Sequence, residues 1–274
     1  MDIQVLGGFT ARLGSTRVAP TAPKPRQVLA LLALNEGRPV PTATLLEELW
    51  GARPPQSARA TLQTYVLRLR ELIDSASAGS TGPPGRTAKQ VLVTMPGGYL
   101  LDTGGGTLDF RAFEHLTNEG YRAMAAKDRP NAARLLHAAL DLWTGPALAD
   151  VRPGRHLDVQ VRRLEESRRC ALDQRIEADL FLGRHLELLP ELTVLVERYH
   201  LHESLHGQFM RALYRSGRPG EALRVYQRLR CALVRDLGIE PGAALQRLQR
   251  SIRASSDAPH DLARDARRAP AEVA

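Results

Sequence analysis

The chain has 274 residues, of which 43% are hydrophobic and 25% are charged, a composition typical of folded proteins that excludes a largely disordered chain. Its 38 Lys and Arg outnumber its 30 Asp and Glu, and the resulting net charge of +8 favours an anionic partner such as nucleic acid. Because no apolar run approaches the roughly 18 residues of a membrane span, neither secretion nor membrane insertion is indicated.

Length and cysteine usage set the organisation and the compartment. A chain longer than about 200 residues predicts two compact domains. Cys170 and Cys231 both fall within apolar helical patterns, so we predict two buried thiols rather than a disulfide or a metal site. Such cysteines are typical of a reducing compartment, and we expect a cytoplasmic protein.

The N-terminal segment predicts strands followed by three helices. Apolar and polar residues alternate up to Gly14, which indicates a short antiparallel hairpin or meander. Apolar periodicity with Pro and Gly punctuation then predicts helices at about Pro25 to Asn35, Thr42 to Trp50 and Ser57 to Ile73. Thr42 is the predicted N-cap of the second helix.

A polar loop and two strands complete the first domain. The segment after Ile73, SASAGSTGPPGRTAKQ, is predicted to be a loop, and VLVTMPGGYLLD predicts two short strands around Pro96, Gly97 and Gly98. This order of elements is typical of a winged helix-turn-helix, which we assign to residues 1–103. In that fold the second and third helices form the reading unit, and the strand pair is the wing.

The third predicted helix has two distinct faces when its residues are placed at 100° intervals. One narrow stripe is apolar and is predicted to face the core: Leu62, Val66, Leu69 and Ile73. The opposite face is small, polar and cationic: Ser57, Ala60, Thr61, Thr64 and Arg68, flanked by Arg59, Gln63 and Arg70. Such a face is either an ordinary solvated surface or a surface that contacts phosphates and base edges.

The second half of the chain is almost continuously helical in its periodicity, from Asp109 to about Ile252. Repeated pairs of apolar helices are joined by short turns, and Arg184 and Arg218 in two such turns are 34 residues apart, the tetratricopeptide spacing. The 55 residues from Arg129 to Arg184 break strict repetition. We predict an all-α helical-repeat interaction domain at residues 104–253 and a disordered tail at residues 254–274.

Signals for catalysis or for a cofactor are weak. His200, His202 and His206 are closely spaced, as in some zinc sites, but they lie at a helix boundary without nearby Cys, and we predict a surface turn instead. The chain contains neither a phosphate-binding glycine loop nor a nucleophile-elbow or zinc-protease motif. We therefore predict a protein that is not an enzyme and that has no catalytic residues, cofactor or metal.

Particular motifs add a family resemblance. TATLLEELWGARPPQSARATLQTYVLRLRELI followed by VLVTMPGGYLL resembles the OmpR-type winged-helix domain of the Streptomyces antibiotic regulatory protein family, through LW-G, the two prolines, LQ, YV, LR and GY in that order. FRAFEHL, LDLWTGPALADV and HESLHGQFMRALYRSGRPGEALRVYQRLR resemble the bacterial transcriptional activation domain of the same family. The resemblance implies a mainly α protein: an α+β winged helix followed by a tetratricopeptide-like domain.

The resemblance also implies a function and a set of site residues. The candidate DNA contacts are Arg59, Thr61, Gln63, Thr64 and Arg68, with Arg68 the candidate base reader, and the helix start near Thr42 is a candidate phosphate contact. Relatives often carry Arg where this chain has Met95, which removes an expected wing contact.

Family membership would imply a transcriptional activator of an antibiotic or other secondary-metabolite gene cluster. Its partners would be double-stranded promoter DNA, at direct repeats near the −35 element, and the sigma and alpha subunits of RNA polymerase holoenzyme. It would act as a homodimer or as tandem protomers on the DNA. The alternative is a helical-repeat scaffold whose basic N-terminal domain docks a protein.

Overall fold

The computed structural model describes residues 1–78 and 86–265. The elements of its first part, in chain order, are β1 (Asp2–Gln4), β2 (Thr10–Leu13), β3 (Thr16–Arg17), α1 (Pro23–Leu34), β4 (Val40–Pro41), α2 (Thr42–Trp50), α3 (Ala58–Ala78), α4 (Ala88–Val91), β5 (Leu92–Met95) and β6 (Gly98–Leu101). Those of its second part are α5 (Asp109–Ala125), α6 (Arg129–Leu140), α7 (Arg155–Phe181), α8 (His185–Arg198), α9 (Glu203–Arg215), α10 (Pro219–Leu237) and α11 (Ala243–Asp265). The predicted fold class, a winged helix followed by an all-α domain, is confirmed.

Two small antiparallel sheets flank the three helices of the winged helix. The first has the order β1-β2-β3, which confirms the predicted meander, and the second has the order β4-β6-β5. The turn between β5 and β6 places Gly97 at φ 78°, where a residue without a side chain is favoured. A Cβ at Gly98 would lie 2.3 Å from the carbonyl oxygen of Val40, so the close pairing of β4 and β6 requires glycine there.

Helix α1 forms the centre of the N-terminal core. It is almost wholly buried, and α3 packs against both α1 and α2. The predicted core residues of the first two helices are buried: Leu29, Leu32, Leu45 and Leu49. The bounds predicted for the second helix, Thr42 to Trp50, agree with α2.

Three local predictions in the first hundred residues are wrong. Helix α3 does not end at Ile73 but continues to Ala78, where Ala76 adds a further buried contact. The predicted loop contains α4, which starts with a reciprocal capping box between Thr87 and Gln90. Thr42 is not an N-cap: Pro41 holds that position without a side-chain cap. The middle of the predicted loop, 79–85, lies outside the described residues.

By compactness the chain divides into two units. Unit 1 comprises the described residues of Met1–Glu119 together with Leu135–Ala171. Unit 2 comprises Gly120–Arg134 and the described residues from Leu172 onward. The winged helix therefore shares a compact unit with a part of the chain that sequence periodicity assigns to the helical domain. The predicted boundary at residues 103 and 104 stays a prediction about sequence domains.

Unit 2 is built from helix pairs. Helix α9 packs against α8 and α10, and α11 packs against α9 and α10. Their apolar faces form one core, which includes Ile176, Leu192, Met210, Leu229 and Ile252. Helix α11 runs to Asp265, past the point where the sequence predicted an unfolded tail, and 266–274 lie outside the described residues.

The prediction of buried thiols is wrong for both cysteines. Cys170 and Cys231 are free and exposed. Cys170 directly precedes the buried Ala171, and Cys231 lies between the buried Leu229 and Leu233. Both thiols are therefore on the solvent side of helices whose opposite face is apolar. A shift of one or two residues along the helix separates the exposed from the buried side, and composition does not resolve such a shift.

Candidate nucleic-acid interface

Helix α3 has the two faces that its sequence predicts. The stripe of Leu62, Val66, Leu69 and Ile73 is buried, with no more than 2% of any residue exposed. Burying four such side chains contributes roughly 1.5 to 3 kcal/mol for each of them. This stripe fixes the rotation of the helix about its axis, so the opposite face must point away from the core.

The outward face carries the predicted contact residues. Arg59, Gln63, Thr64 and Arg68 are exposed, and Thr61 is half-buried. Among the residues that the structure describes, neither Arg59 nor Arg68 has an anionic partner. Both guanidinium groups are thus available to an external anion without first losing an internal ion pair.

The two threonines of this face are already engaged with their own helix. The Thr61 hydroxyl donates to the Ser57 carbonyl at 3.0 Å, and the Thr64 hydroxyl donates to the Ala60 carbonyl at 3.1 Å. Each hydroxyl oxygen keeps lone pairs that can accept a hydrogen bond. Each threonine can therefore receive a donor from a ligand without breaking its bond to the helix.

Arg70 has a different role from the other arginines of α3. Its guanidinium donates to the Leu92 carbonyl from Nε at 3.1 Å and from Nη2 at 2.6 Å, and Nη2 also reaches Thr94 Oγ1 at 2.8 Å. It ties α3 to β5 and so positions the wing beside the helix. Helical periodicity places Arg70 beside the outward face, and no local sequence pattern indicates that it binds Leu92 and Thr94.

The start of α2 is only partly available. The Thr42 amide donates to the Gly97 carbonyl at 2.8 Å, so this amide already binds the turn of the wing. A phosphate contact through that amide is therefore excluded in this arrangement, whereas a contact with the start of α2 near the half-buried Thr42 stays a prediction. Met95, paired with Gly98 next to the same turn, adds no charge to the wing.

A buried carboxylate on α2 holds the reading unit in place within unit 1. Glu48 is 3% exposed, and its carboxylate accepts the amides of Gly154 at 2.6 Å, His156 at 2.8 Å and Leu157 at 3.1 Å. These are the free amides at the start of α7, so Glu48 caps that helix. The Gln27 side chain donates to the same carboxylate at 2.8 Å.

Two aspartates connect the first sheet to the segment that follows the wing. Asp109 accepts the amides of Val5 and Leu6 at 2.9 Å, and Asp150 accepts the amide of Phe9 at 2.7 Å and pairs with the buried Arg26. Burial raises the pKa of Asp109, and this effect exceeds the opposing effect of its bonds to backbone amides. Specific polar contacts therefore join the winged helix to Asp109 and to residues 150–157 within unit 1.

The histidine cluster is not a surface turn throughout. His202 is the N-cap of α9 and accepts the Leu205 amide, while His206 is buried in that helix, where desolvation lowers its pKa. The surface-turn prediction is therefore wrong for His206. Within the described residues no group of three His, Cys, Asp or Glu is placed to hold a metal ion. None of the helices in that part of the chain is both long and apolar enough to cross a membrane.

Comparison with known proteins gives two domain matches. The pattern of the bacterial transcriptional activator domain matches residues 108–253, and that of the C-terminal domain of transcriptional regulatory proteins matches residues 17–81. The first match covers more than half of the chain, and the second includes α1, α2 and α3.

Individual relatives agree with these matches. The regulatory protein DnrI of Streptomyces peucetius is 49% identical over 252 residues, 92% of each chain. AfsR of Streptomyces griseus is 39% identical over 90% of this chain, which spans 24% of AfsR. The structure of Mycobacterium tuberculosis EmbR, in complex with a low-affinity phosphopeptide, superposes with a TM-score of 0.84 and 34% identity over 93% of this chain and 65% of EmbR.

Proposed function

This chain belongs to the Streptomyces antibiotic regulatory protein family, and we propose that it activates transcription by binding promoter DNA through α3 and the wing and by recruiting RNA polymerase. Its relatives DnrI, AfsR and RedD are Streptomyces proteins that are named as regulatory proteins or transcriptional regulators. We propose no catalytic role for it. We propose a cytoplasmic location, because the promoter DNA and the polymerase are found there.

The outward face of α3 carries the proposal. It combines two arginines that have no anionic partner among the described residues, Arg59 and Arg68, with the exposed side chains of Gln63 and Thr64. Arg68 is our candidate for bidentate donation to guanine O6 and N7 in the major groove, and Arg59 for a phosphate. The net charge of +8 favours association with a polyanion.

Family membership supports the finer parts of the proposal. We expect binding to direct repeats near the −35 element, by a homodimer or by tandem protomers, at promoters of an antibiotic or other secondary-metabolite gene cluster. The sigma and alpha subunits of RNA polymerase are the proposed partners of the helical domain. Stacked helix pairs such as α8, α9 and α10 provide the kind of surface that contacts proteins rather than small substrates.

Footprinting on the promoters of the neighbouring gene cluster tests the proposal. We expect the full chain to protect spaced repeats, and protection to extend when polymerase holoenzyme is added. At fixed salt, Arg68→Ala should weaken binding by about 1 to 3 kcal/mol and relax the preference at one base pair. The measurement is a binding titration on the footprinted duplex and on a series of duplexes in which each base pair is changed in turn.

The matched control is Arg250→Ala, which removes the same charge from an exposed position on α11. It should leave the base preference unchanged. If Arg68→Ala had no more effect than Arg250→Ala, α3 would not read the sequence through Arg68. If the folded chain protected no promoter at low salt, the proposal would be wrong, and a basic docking domain on a helical scaffold would replace it.

A further inference from the structure

Leu67 is an apolar side chain on the otherwise polar face of α3. It is 57% exposed, whereas Leu62 and Leu69 of the same helix are 1% exposed and Leu72 is 37% exposed. Leaving most of a leucine in water gives up stabilisation that burial would supply. Among the residues that the structure describes, none covers most of this side chain, so core packing does not account for its position.

Helical geometry places Leu67 among the candidate contact residues. At about 100° per residue, Leu67 lies about 60° from Thr64 around the axis, and it is one turn after both Gln63 and Thr64. It is about 100° from the core residue Val66. The side chain therefore shares one surface with Gln63 and Thr64 and is directed away from the core.

The surroundings of Leu67 favour a base edge over a phosphate or a protein surface. Its neighbours along the face are the polar Gln63, Thr64 and Arg68, so the described surface around it is not a broad apolar patch for a protein partner. The exposed Glu71, one turn further on, would repel a phosphate at this position. An apolar group on the floor of the major groove is the complementary feature that remains.

We infer that Leu67 is a specificity-determining residue that contacts the 5-methyl group of a thymine in the operator. Thymine is the only standard DNA base with a methyl group in the major groove, and apolar side chains recognise it by direct contact. Burying Leu67 against that methyl group excludes water from both. This inference rests on the proposed function, since it needs α3 in the major groove.

Replacing single thymines by deoxyuridine in the footprinted duplex tests the contact. Deoxyuridine pairs as thymine does but lacks the 5-methyl group, so only the apolar contact changes. With the full chain at fixed salt, we expect one thymine position in each repeat at which the replacement weakens binding about fourfold, the effect of one buried methyl-sized group. The Leu67→Ala variant should bind the thymine duplex more weakly than the wild type does. It should bind the thymine and deoxyuridine duplexes with equal affinity.

Leu72→Ala is the matched control, because Leu72 is 37% exposed on the same helix but lies about 140° from Leu67 around the axis. It should keep the full fourfold sensitivity to deoxyuridine. Equal melting temperatures of the Leu67→Ala and wild-type chains would show that the exposed side chain has no structural role. If Leu67→Ala kept the wild-type sensitivity at every thymine, the inference would be overturned while DNA binding stood. If the wild-type chain bound no duplex at all, both the proposed function and this inference would be wrong.

Discussion

Each of the two compact units has its own kind of internal polar contact. In unit 1 the buried carboxylate of Glu48 accepts backbone amides from a segment more than 100 residues away in sequence, and Asp109 does the same for the first sheet. In unit 2 the buried Arg175 pairs with Asp179, one turn further along α7, and with Glu191 on α8. For Glu48 and Asp109 in unit 1 the partners are backbone amides, whereas for Arg175 in unit 2 they are side chains of the same and the next helix.

This difference determines which substitutions each unit tolerates. Only substitution by proline removes a backbone N–H, so a carboxylate that caps such a group is best replaced by another acceptor. A pair of side chains can be replaced together by apolar groups that fill the same space. We therefore expect unit 1 to depend on its individual acidic residues and unit 2 to depend on its apolar packing.

The largest expected effect is that of Glu48→Ala. The change leaves the amides of Gly154, His156 and Leu157 without their acceptor in a buried place, and we expect a loss of about 3 kcal/mol in the free energy of unfolding. Glu48→Gln keeps one acceptor oxygen and should lose less. Urea denaturation, with amide exchange followed at His156 and Leu157, measures both effects.

The adjacent Glu47 provides the matched control for that variant. It forms exposed pairs with Arg155 and His156 and caps no buried amide. Glu47→Ala should therefore leave amide exchange at Leu157 unchanged. Equal losses for Glu47→Ala and Glu48→Ala would contradict the view that buried capping carboxylates hold unit 1 together.

A smaller effect is expected in unit 2. Asp179→Ala removes a 3% exposed carboxylate that pairs with the buried Arg175 and with the half-exposed Arg184, and we expect a loss of about 2 kcal/mol. Arg175 keeps its pair with the more exposed Glu191. The double variant Arg175→Met, Asp179→Leu should return to within about 1 kcal/mol of the wild type. Denaturation of the wild type and of the two variants tests the expectation. A double variant less stable than Asp179→Ala would show that this pair, too, is irreplaceable.

The smallest effect concerns an exposed ion pair of unit 1. Arg86 holds the pKa of Asp102 at about 2, below the usual 3.8. The contribution of this ion pair to the free energy of unfolding is present above pH 3.8 and is lost as the pH falls towards 2. Because 38% of the Arg86 side chain and 44% of the Asp102 side chain are exposed, we expect it to stay below about 1 kcal/mol.

Denaturation of the wild type and Asp102→Asn across this pH range measures that contribution. The stability difference between the two should shrink as the pH falls from about 4 to about 2, because the wild-type carboxyl becomes protonated. A difference that did not change with pH would mean that the carboxylate charge of Asp102 contributes nothing. The contrast with Glu48 would then show that an acidic residue stabilises unit 1 when it is buried and not when it is exposed.

Much of the winged helix is predictable because its signals are local. The bounds of α2 and the buried stripe of α3 follow from apolar periodicity, which the structure confirms at Leu62 and Val66. The length of α3 was underestimated because its last turn is polar in sequence, and only the burial of Ala76 shows that this turn packs. The exposed thiols were missed because each is within two residues of a buried position on its helix.

By itself, the sequence determined the order of the main strands and helices apart from α4, the family and the two faces of α3, since each of these depends on residues within a few turns of one another. Only the tertiary structure decided that Arg70 anchors the wing, that the Thr42 amide is already bound and that Glu48 caps α7. The physical reason is that a hydrogen bond depends on which donor lies within about 3 Å of an acceptor. For Glu48 and His156 that donor is a backbone amide, which every residue except proline carries and which no sequence pattern marks.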